Sequence, residues 1–160
     1  MQIEIRQLAD QDFEGLCTLI TSTYSDTPIA MRFQSMPTKE ELLELFKKKR
    51  EYVKEGKTVD VVAVKKDSRY GKICGECEIV IEKEVGVGAV GIIVERQCRR
   101  KGIGSKLLKH ATVAAKSLGV SKLVAEVDKR NTQALSFFES NLFKPLQSKA
   151  ETTIIYTKNI

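Results

Sequence analysis

The stretch from Gly88 to Val127 narrows the fold more than any other part of the 160-residue chain. An apolar run, "GAVGIIVE" (88–95), leads into a basic turn, "RQCRRKGIG" (96–104). From Ser105 the apolar residues fall at helical spacing: Leu107, Leu108, Ala111, Ala114, Ala115 and Leu118, closed by Gly119. A second apolar run, "KLVAEV" (122–127), follows at once. Two strands joined by a helix favour a parallel pairing through a right-handed crossover. A sheet with helices on its faces is therefore expected.

The remaining segments extend that sheet. "IEIRQ" (3–7) alternates as a short strand, and Asp10 stands where it would cap a helix to about Ile20. Phe13, Leu16, Leu19 and Ile20 give that helix its apolar side. Pro28 and Pro37 bracket "PIAMRFQSMP", a loop or a short helical turn. Thr38 with Glu41 forms a capping box for a helix over 39–54, ended by Gly56. Its apolar side holds Leu42, Leu45, Phe46 and Val53, and "KKKRE" is read as mostly solvated. "TVDVVAV" (58–64) and "KICGECEIVI" (72–81) flank the turn "KDSRYG", and the turn "EKEVGV" leads into 88–95. Such short connections predict an antiparallel meander. Asn131 or Thr132 caps a helix to about Asn141, and "TTIIYT" (152–157) is a last strand. The prediction is one mixed α/β domain over 1–160. Its sheet has six to seven strands, mostly antiparallel, with a central parallel pair and about four helices on the two faces.

Composition sets the class. Hydrophobic residues at 42% and charged residues at 30% are ordinary for a globular domain. No apolar run approaches the roughly 20 residues that span a bilayer. The N-terminus carries charges where a signal peptide needs an apolar core, so a cytoplasmic chain without membrane contact is expected. The four cysteines (Cys17, Cys74, Cys77, Cys98) and the single histidine, His110, are too scattered for a zinc site. They read as strand thiols, and no metal is expected.

The net charge of +6 fits an anionic ligand, nucleic acid or simple solubility. Its distribution is more telling. Arg96, Arg99, Arg100, Lys101, Lys106 and Lys109 fall within 14 residues that contain no acid. A helix N-terminus offers unpaired N–H groups and a partial positive charge. Gly102 and Gly104 admit unusual backbone angles and close approach of an anion to the main chain. The turn is thus either a generic basic turn or a phosphate site at the helix start. A Walker loop would need Lys and Ser/Thr after its second glycine, and a dinucleotide fingerprint needs three glycines; neither is present. A nucleic-acid module lacks aromatic interleaving and a recognition helix, so no nucleic-acid partner is expected.

"RRKGIG" matches the Arg/Gln-x-x-Gly-x-Gly/Ala pattern of the GNAT superfamily of acetyl-CoA-dependent N-acetyltransferases, and "GIIVERQCRRKGIGSKLL" resembles its strand–turn–helix. "NTQALSFFESNLF" (131–143) is similar to its downstream block, usually Asn-x-x-Ala, then Phe-Tyr-Glu and Gly-Phe. The opening "IEIRQLADQDFEGL" resembles its first strand and helix. The resemblance covers essentially the whole chain. It implies that the central parallel strands splay to hold acetyl-CoA as acetyl donor. The pantetheine would pair with the main chain of Ile92, Ile93 and Val94. The pyrophosphate would lie on amides from Arg99 through Arg100, Lys101, Gly102, Ile103 and Gly104 to Ser105. Asn131 would bond near the pantetheine, or be only a helix cap; Phe137 and Phe138 would line the thioester end, or be only core.

Acetyl transfer needs a neutral amine, and a lysine-like amine has a pKa of about 10.4, so a base is required. Glu126 matches a glutamate used as base in the branch that acetylates ribosomal-protein N-termini. Glu76 and Glu78 are alternatives acting through water. A main-chain N–H near Val94 would polarise the carbonyl. Phe138 stands where many members carry an acidic tyrosine, and Leu142 replaces the usual glycine; Cys98, Tyr156 or water are the substitutes for the acid. The function implied is acetyl transfer to a primary amine of a small molecule, polyamine or protein. The alternative is a non-catalytic acyl-CoA-binding or regulatory protein of the same fold. Acceptor specificity is expected from about 20–40 and 72–90, where Arg32 and Lys39 beside Phe33 would favour an acidic acceptor or be only solvated loop charges. The resemblance also admits a homodimer.

Overall fold

The computed structural model describes residues 1–31, 33–68, 71–146 and 150–160. Arg32, and with it its reading as an acceptor contact, and the tip of the "KDSRYG" turn lie outside the described residues. The strands are β1 (Ile3–Gln7), β2 (Thr58–Lys65), β3 (Lys72–Ile81), β4 (Val87–Val94), β5 (Lys122–Asp128), β6 (Lys144–Pro145) and β7 (Thr153–Asn159). The helices are α1 (Phe13–Asp26), α2 (Lys39–Lys54), α3 (Ile103–Ser117) and α4 (Thr132–Ser140). They build one seven-stranded sheet in the order β1-β2-β3-β4-β5-β7-β6. Among the described residues only β4 and β5 run parallel, joined across α3 as the strand–helix–strand pattern requires.

Helices cover both faces. On one, α3 and α4 lay Leu107, Leu108, Ala111 and Phe138 against Ile79, Leu123, Ala125 and Tyr156, all buried. On the other, α1 and α2 lay Leu16, Leu19, Leu42 and Phe46 on Val62, Val64 and Ile73. Truncating a fully buried leucine such as Leu107 to alanine costs about 2–5 kcal/mol in a core of this kind. No helix among the described residues is long and apolar enough to cross a membrane.

Three local expectations change. Helix α1 runs to Asp26, not to Ile20, because buried Thr23 continues the face of Leu16, Leu19 and Ile20, while Thr18, Thr21 and Ser22 turn their hydroxyls back onto carbonyls of Glu14, Cys17, Thr18 and Leu19. Asp10 caps nothing: it lies in a short 3-10 turn (Asp10–Asp12) and pairs with Arg50 at 2.8 Å. The neighbouring Asp12 accepts from the Ala9 N–H at 2.8 Å and from the Arg6 guanidinium at 2.7 and 2.9 Å. The two-residue strand β6 carries no sequence signal, since its Pro145 is tolerated only at an edge.

Helix α2 obeys its capping box. Thr38 accepts from the Glu41 N–H at 3.2 Å and Glu41 accepts from the Thr38 N–H at 2.9 Å. Its lysine run is not uniformly solvated, however. Lys49 sits with Leu42 and Phe46 on the buried side and is 6% exposed.

Candidate functional site

Strands β4 and β5 part. They pair only from Val87–Ala89 to Lys122–Val124. Beyond that, β4 continues on β3 as far as Val94, and β5 continues on β7 as far as Asp128. The two edges facing each other past Ala89 and Val124 lack a ladder partner, which leaves main chain along them to a guest, although the Val94 carbonyl already accepts from Arg99. Between them lies a cleft of about 430 Å³, bounded by Val90–Val94, Glu126–Asp128, the start of α3, and α4. The end of α1 supplies Thr23 and Thr27, and the following 3-10 turn (Pro28–Ala30) supplies Ile29 and Ala30.

The basic turn closes one end. Arg100 and Gly102 both have left-handed backbones, with φ of +62° and +76°. Gly102 is the residue before α3, so it reverses the chain and frees the first helical N–H groups. Gly104 has a different reason. A Cβ there would lie 2.9 Å from the Phe137 ring, so this glycine lets α4 pack on the first turn of α3.

The residues expected at a donor site gather here with one exception. Ile92, Ile93, Val94, Arg99, Arg100, Gly102, Ile103, Gly104, Ser105, Asn131, Phe137 and Phe138 all line the cleft. Lys101 is exposed and turns away, its Nζ donating to the Gln97 carbonyl at 2.9 Å. Asn131 caps α4 through Oδ1, which accepts from the Ala134 N–H at 3.2 Å, while also lining the cleft. Phe138 is 4% exposed and packs on Phe137, Phe143 and Tyr156 with centroids at 5.2, 5.0 and 6.1 Å. It is core and cleft wall at once.

Among the acids, Glu126 is exposed on the β5 side of the cleft, and its carboxylate accepts from the Thr153 hydroxyl at 3.1 Å. The adjacent Asp128 is taken by Arg130 at 2.8 Å, which holds its carboxyl down to about 2. Glu76 and Glu78 are also taken. The Lys49 ammonium lies 2.9 Å from Glu76, 3.1 Å from Asp60 and 3.1 Å from Glu78. Burial pulls the Lys49 ammonium down, but Glu76, Asp60 and Glu78 outweigh it and hold its pKa above the lysine range. Burial, with Glu76 beside it, pushes Asp60 well above the carboxylate range.

Sequence reading missed Lys49, Asp60 and Thr23. Lys49 had a signal, for it stands three residues after Phe46 and seven after Leu42, on the apolar side. Asp60 had none, because only the register that sets it opposite Glu78 brings it to Lys49. Thr23 is 3% exposed, lines the cleft, and its hydroxyl has no hydrogen-bond partner.

For a proton donor the choices narrow. Burial and Glu139, which accepts the Tyr156 hydroxyl at 2.8 Å, push that phenol up to about 12. Cys98 lines the cleft but is buried, its thiol 3.4 Å from the Glu95 carboxylate. Burial and the nearby Cys98 push the Cys74 thiol up to about 12, and burial also raises Cys77. Among the described residues no three His, Cys, Asp or Glu side chains gather as a metal site.

The sequence model of the Acetyltransferase (GNAT) family matches residues 19–142. The candidate phosphinothricin acetyltransferase YwnH of Bacillus subtilis (strain 168) is 39% identical over 54 residues, which span 34% of this chain and 33% of that protein. The chain thus aligns with about a third of that relative's length. The fold is similar to an N-acetyltransferase from Staphylococcus aureus Mu50, with a TM-score of 0.79 at 19% identity over 99% of both chains. It is also similar to the PaiA N-acetyltransferase from Thermoplasma acidophilum, solved in complex with coenzyme A, with a TM-score of 0.75 at 20% identity over 100% of both chains.

Proposed function

The chain belongs to the GNAT acetyltransferase family, and from that premise we propose that it transfers an acetyl group from acetyl-CoA to a primary amine. The observation that carries this reading is the parting of β4 and β5 directly ahead of the glycine turn. An extended, amide-rich arm ending in phosphates needs an open strand edge next to a helix N-terminus, and the cleft offers both in one line. The orphan hydroxyl of Thr23 is a further polar group that a guest would satisfy.

Ile92, Ile93 and Val94 would take the pantetheine, and the turn from Arg99 to Ser105 the pyrophosphate. Lys101 contributes its backbone to that turn. Asn131, Phe137 and Phe138 would close the thioester end. Acetyl-CoA supplies the acetyl group as a thioester whose thiol, with an ordinary pKa of about 8.5, departs without strong assistance. Glu126 takes the proton of the amine; it faces the cleft, is held by Thr153, and is not claimed by a cation as Glu76, Glu78 and Asp128 are. Phe138 offers no proton and Tyr156 is committed to Glu139, so protonation at the sulfur falls to water.

Acetyl-CoA titrated calorimetrically, followed by thiol release across a panel of amines, tests the reading. Saturable binding and release with at least one amine are expected. Absence of acetyl-CoA binding would overturn it. Binding without release from any amine would favour the non-catalytic acyl-CoA-binding protein, which Phe138 permits. Glu126→Gln should remove the carboxylate's rise from the acidic limb of the pH–rate profile; an unchanged pH–rate profile rules Glu126 out.

A further inference from the structure

We propose that Asp26 is a positioning residue of the donor site: it holds Arg99 as a tie across the cleft mouth and competes with the donor's phosphates for it. The proposal rests on the reading of Arg99 as part of the donor cradle.

Arg99 joins three elements. Its Nε donates to the Val94 carbonyl at the end of β4, at 2.8 Å. One terminal nitrogen lies 2.8 Å from the Asp26 carboxylate at the end of α1 and 3.4 Å from Gln133 at the start of α4. Helices α1 and α4 belong to opposite faces of the sheet, and the cleft passes between them.

Asp26 is badly placed for its own helix. It is the last residue of α1, where the dipole is negative and a carboxylate is disfavoured, and no basic residue stands in that last turn. What holds it is external. Thr27 donates its hydroxyl at 3.0 Å, Arg99 stands at 2.8 Å and Arg96 at 3.2 Å, and together they lower its pKa. Arg100 and Gln133 complete a recess with these groups beside the cleft. Three guanidiniums against one carboxylate leave that recess anion-seeking.

A pyrophosphate on the neighbouring amides meets Arg99 already engaged and Asp26 carrying a like charge. The doubly charged group takes the guanidinium, since two negative charges draw it more strongly than the single charge of Asp26 in this half-buried pair. Asp26 then keeps only Arg96. The wall formed by Thr23, Thr27, Ile29 and Ala30 loses its tie to β4 and α4. Donor binding is thereby coupled to the mobility of the wall opposite α4.

The probe is coenzyme A itself, titrated calorimetrically into the full chain. Asp26→Asn should bind it about threefold to tenfold tighter, the range of a partly exposed ion pair, and Asp26→Glu should stay near the wild type. In an Arg99→Gln background the same Asp26→Asn change should leave affinity unaltered, because the competitor's target is gone. Hydrogen exchange over 23–31 should be faster in free Asp26→Asn than in free wild type, and coenzyme A should speed it in the wild type alone. Unchanged or weaker binding by Asp26→Asn overturns the proposal. So does equal tightening in the Arg99→Gln background, which would mark a general field effect. If the wild type fails to bind coenzyme A, it is the donor reading that falls.

Discussion

The cleft between β4 and β5 and the charge cluster beneath α2 are both polar places in one sheet, and they are built on opposite plans. In the cleft the polar groups lack partners: two strand edges without a ladder and the bare Thr23 hydroxyl. Under α2 they have partners close at hand, with one ammonium held by three carboxylates at 2.9–3.1 Å. Lys49 and Asp60 are 6% and 0% exposed, so the cluster is buried at its centre, with Glu78 half-buried at its edge, where the cleft is open. Unsatisfied groups beside an opening invite a ligand, whereas buried charges paired on one another, even with Asp60 Oδ1 left without a hydrogen bond, fix one arrangement of the chain. Glu76 and Glu78, candidates for the base by sequence, belong to the second plan.

The contrast breaks first at Lys49. Lys49→Met leaves the acids Asp60, Glu76 and Glu78 facing one another without a cation and should cost about 3–5 kcal/mol, read from denaturant unfolding. Coenzyme A affinity, measured where the variant remains folded, should not move. The mirror experiment is Gly104→Val. Its side chain would drive into the Phe137 ring, spreading α3 from α4. Coenzyme A affinity should fall about tenfold or more, while stability drops by about 1–3 kcal/mol. If Lys49→Met loses affinity as a folded protein, or Gly104→Val keeps it, the two regions are not separate devices.

A pH series sharpens the electrostatic half. With three acids against one lysine, burial makes a second excess negative charge costly, and Asp60 retains its proton above the usual carboxylate range. A group whose folded pKa is raised stabilises fully below its unfolded pKa and loses that contribution as pH rises through the folded value. Asp60→Asn, which imitates the protonated acid, should therefore gain on the wild type as pH rises above about 4, with a slope of at most about 1.4 kcal/mol per pH unit. Unfolding free energies of the two proteins across the pH range check the sign. A gap moving the other way would mean that Asp60 is ionised and held by Lys49.

What the sequence disclosed follows the same divide. The crossover from 88 to 127 was legible because two periodicities abut across a glycine turn, and each is written in consecutive residues. The glycine turn ahead of α3 was legible for the same reason, since Arg99 to Ser105 are contiguous. The end of α1 was not, because past Ile20 the buried face is continued by a polar residue, Thr23, and the apolar pattern that marked the helix stops. Asp26 and Thr23 join the site only once α1 is laid across β3 and β4. Lys49 was masked by its lysine neighbours, and the partners that explain its burial come from two strands whose register no local pattern contains.

Leu142 offers the smallest test, and it separates family pattern from function. The position is glycine in the pattern this chain resembles, and here its backbone is left-handed, with φ of +68°. A branched side chain there crowds the following carbonyl, whereas glycine adopts that region freely. Leu142 is 75% exposed, so little packing offsets the strain. Leu142→Gly should raise stability by about 0.5–1 kcal/mol, a shift of a few degrees in thermal midpoint. It should leave coenzyme A affinity unchanged, because the cleft is lined by Asn141 and not by Leu142. A loss of stability would show that this leucine packs on a surface of its own, and that its departure from the family pattern has a structural role.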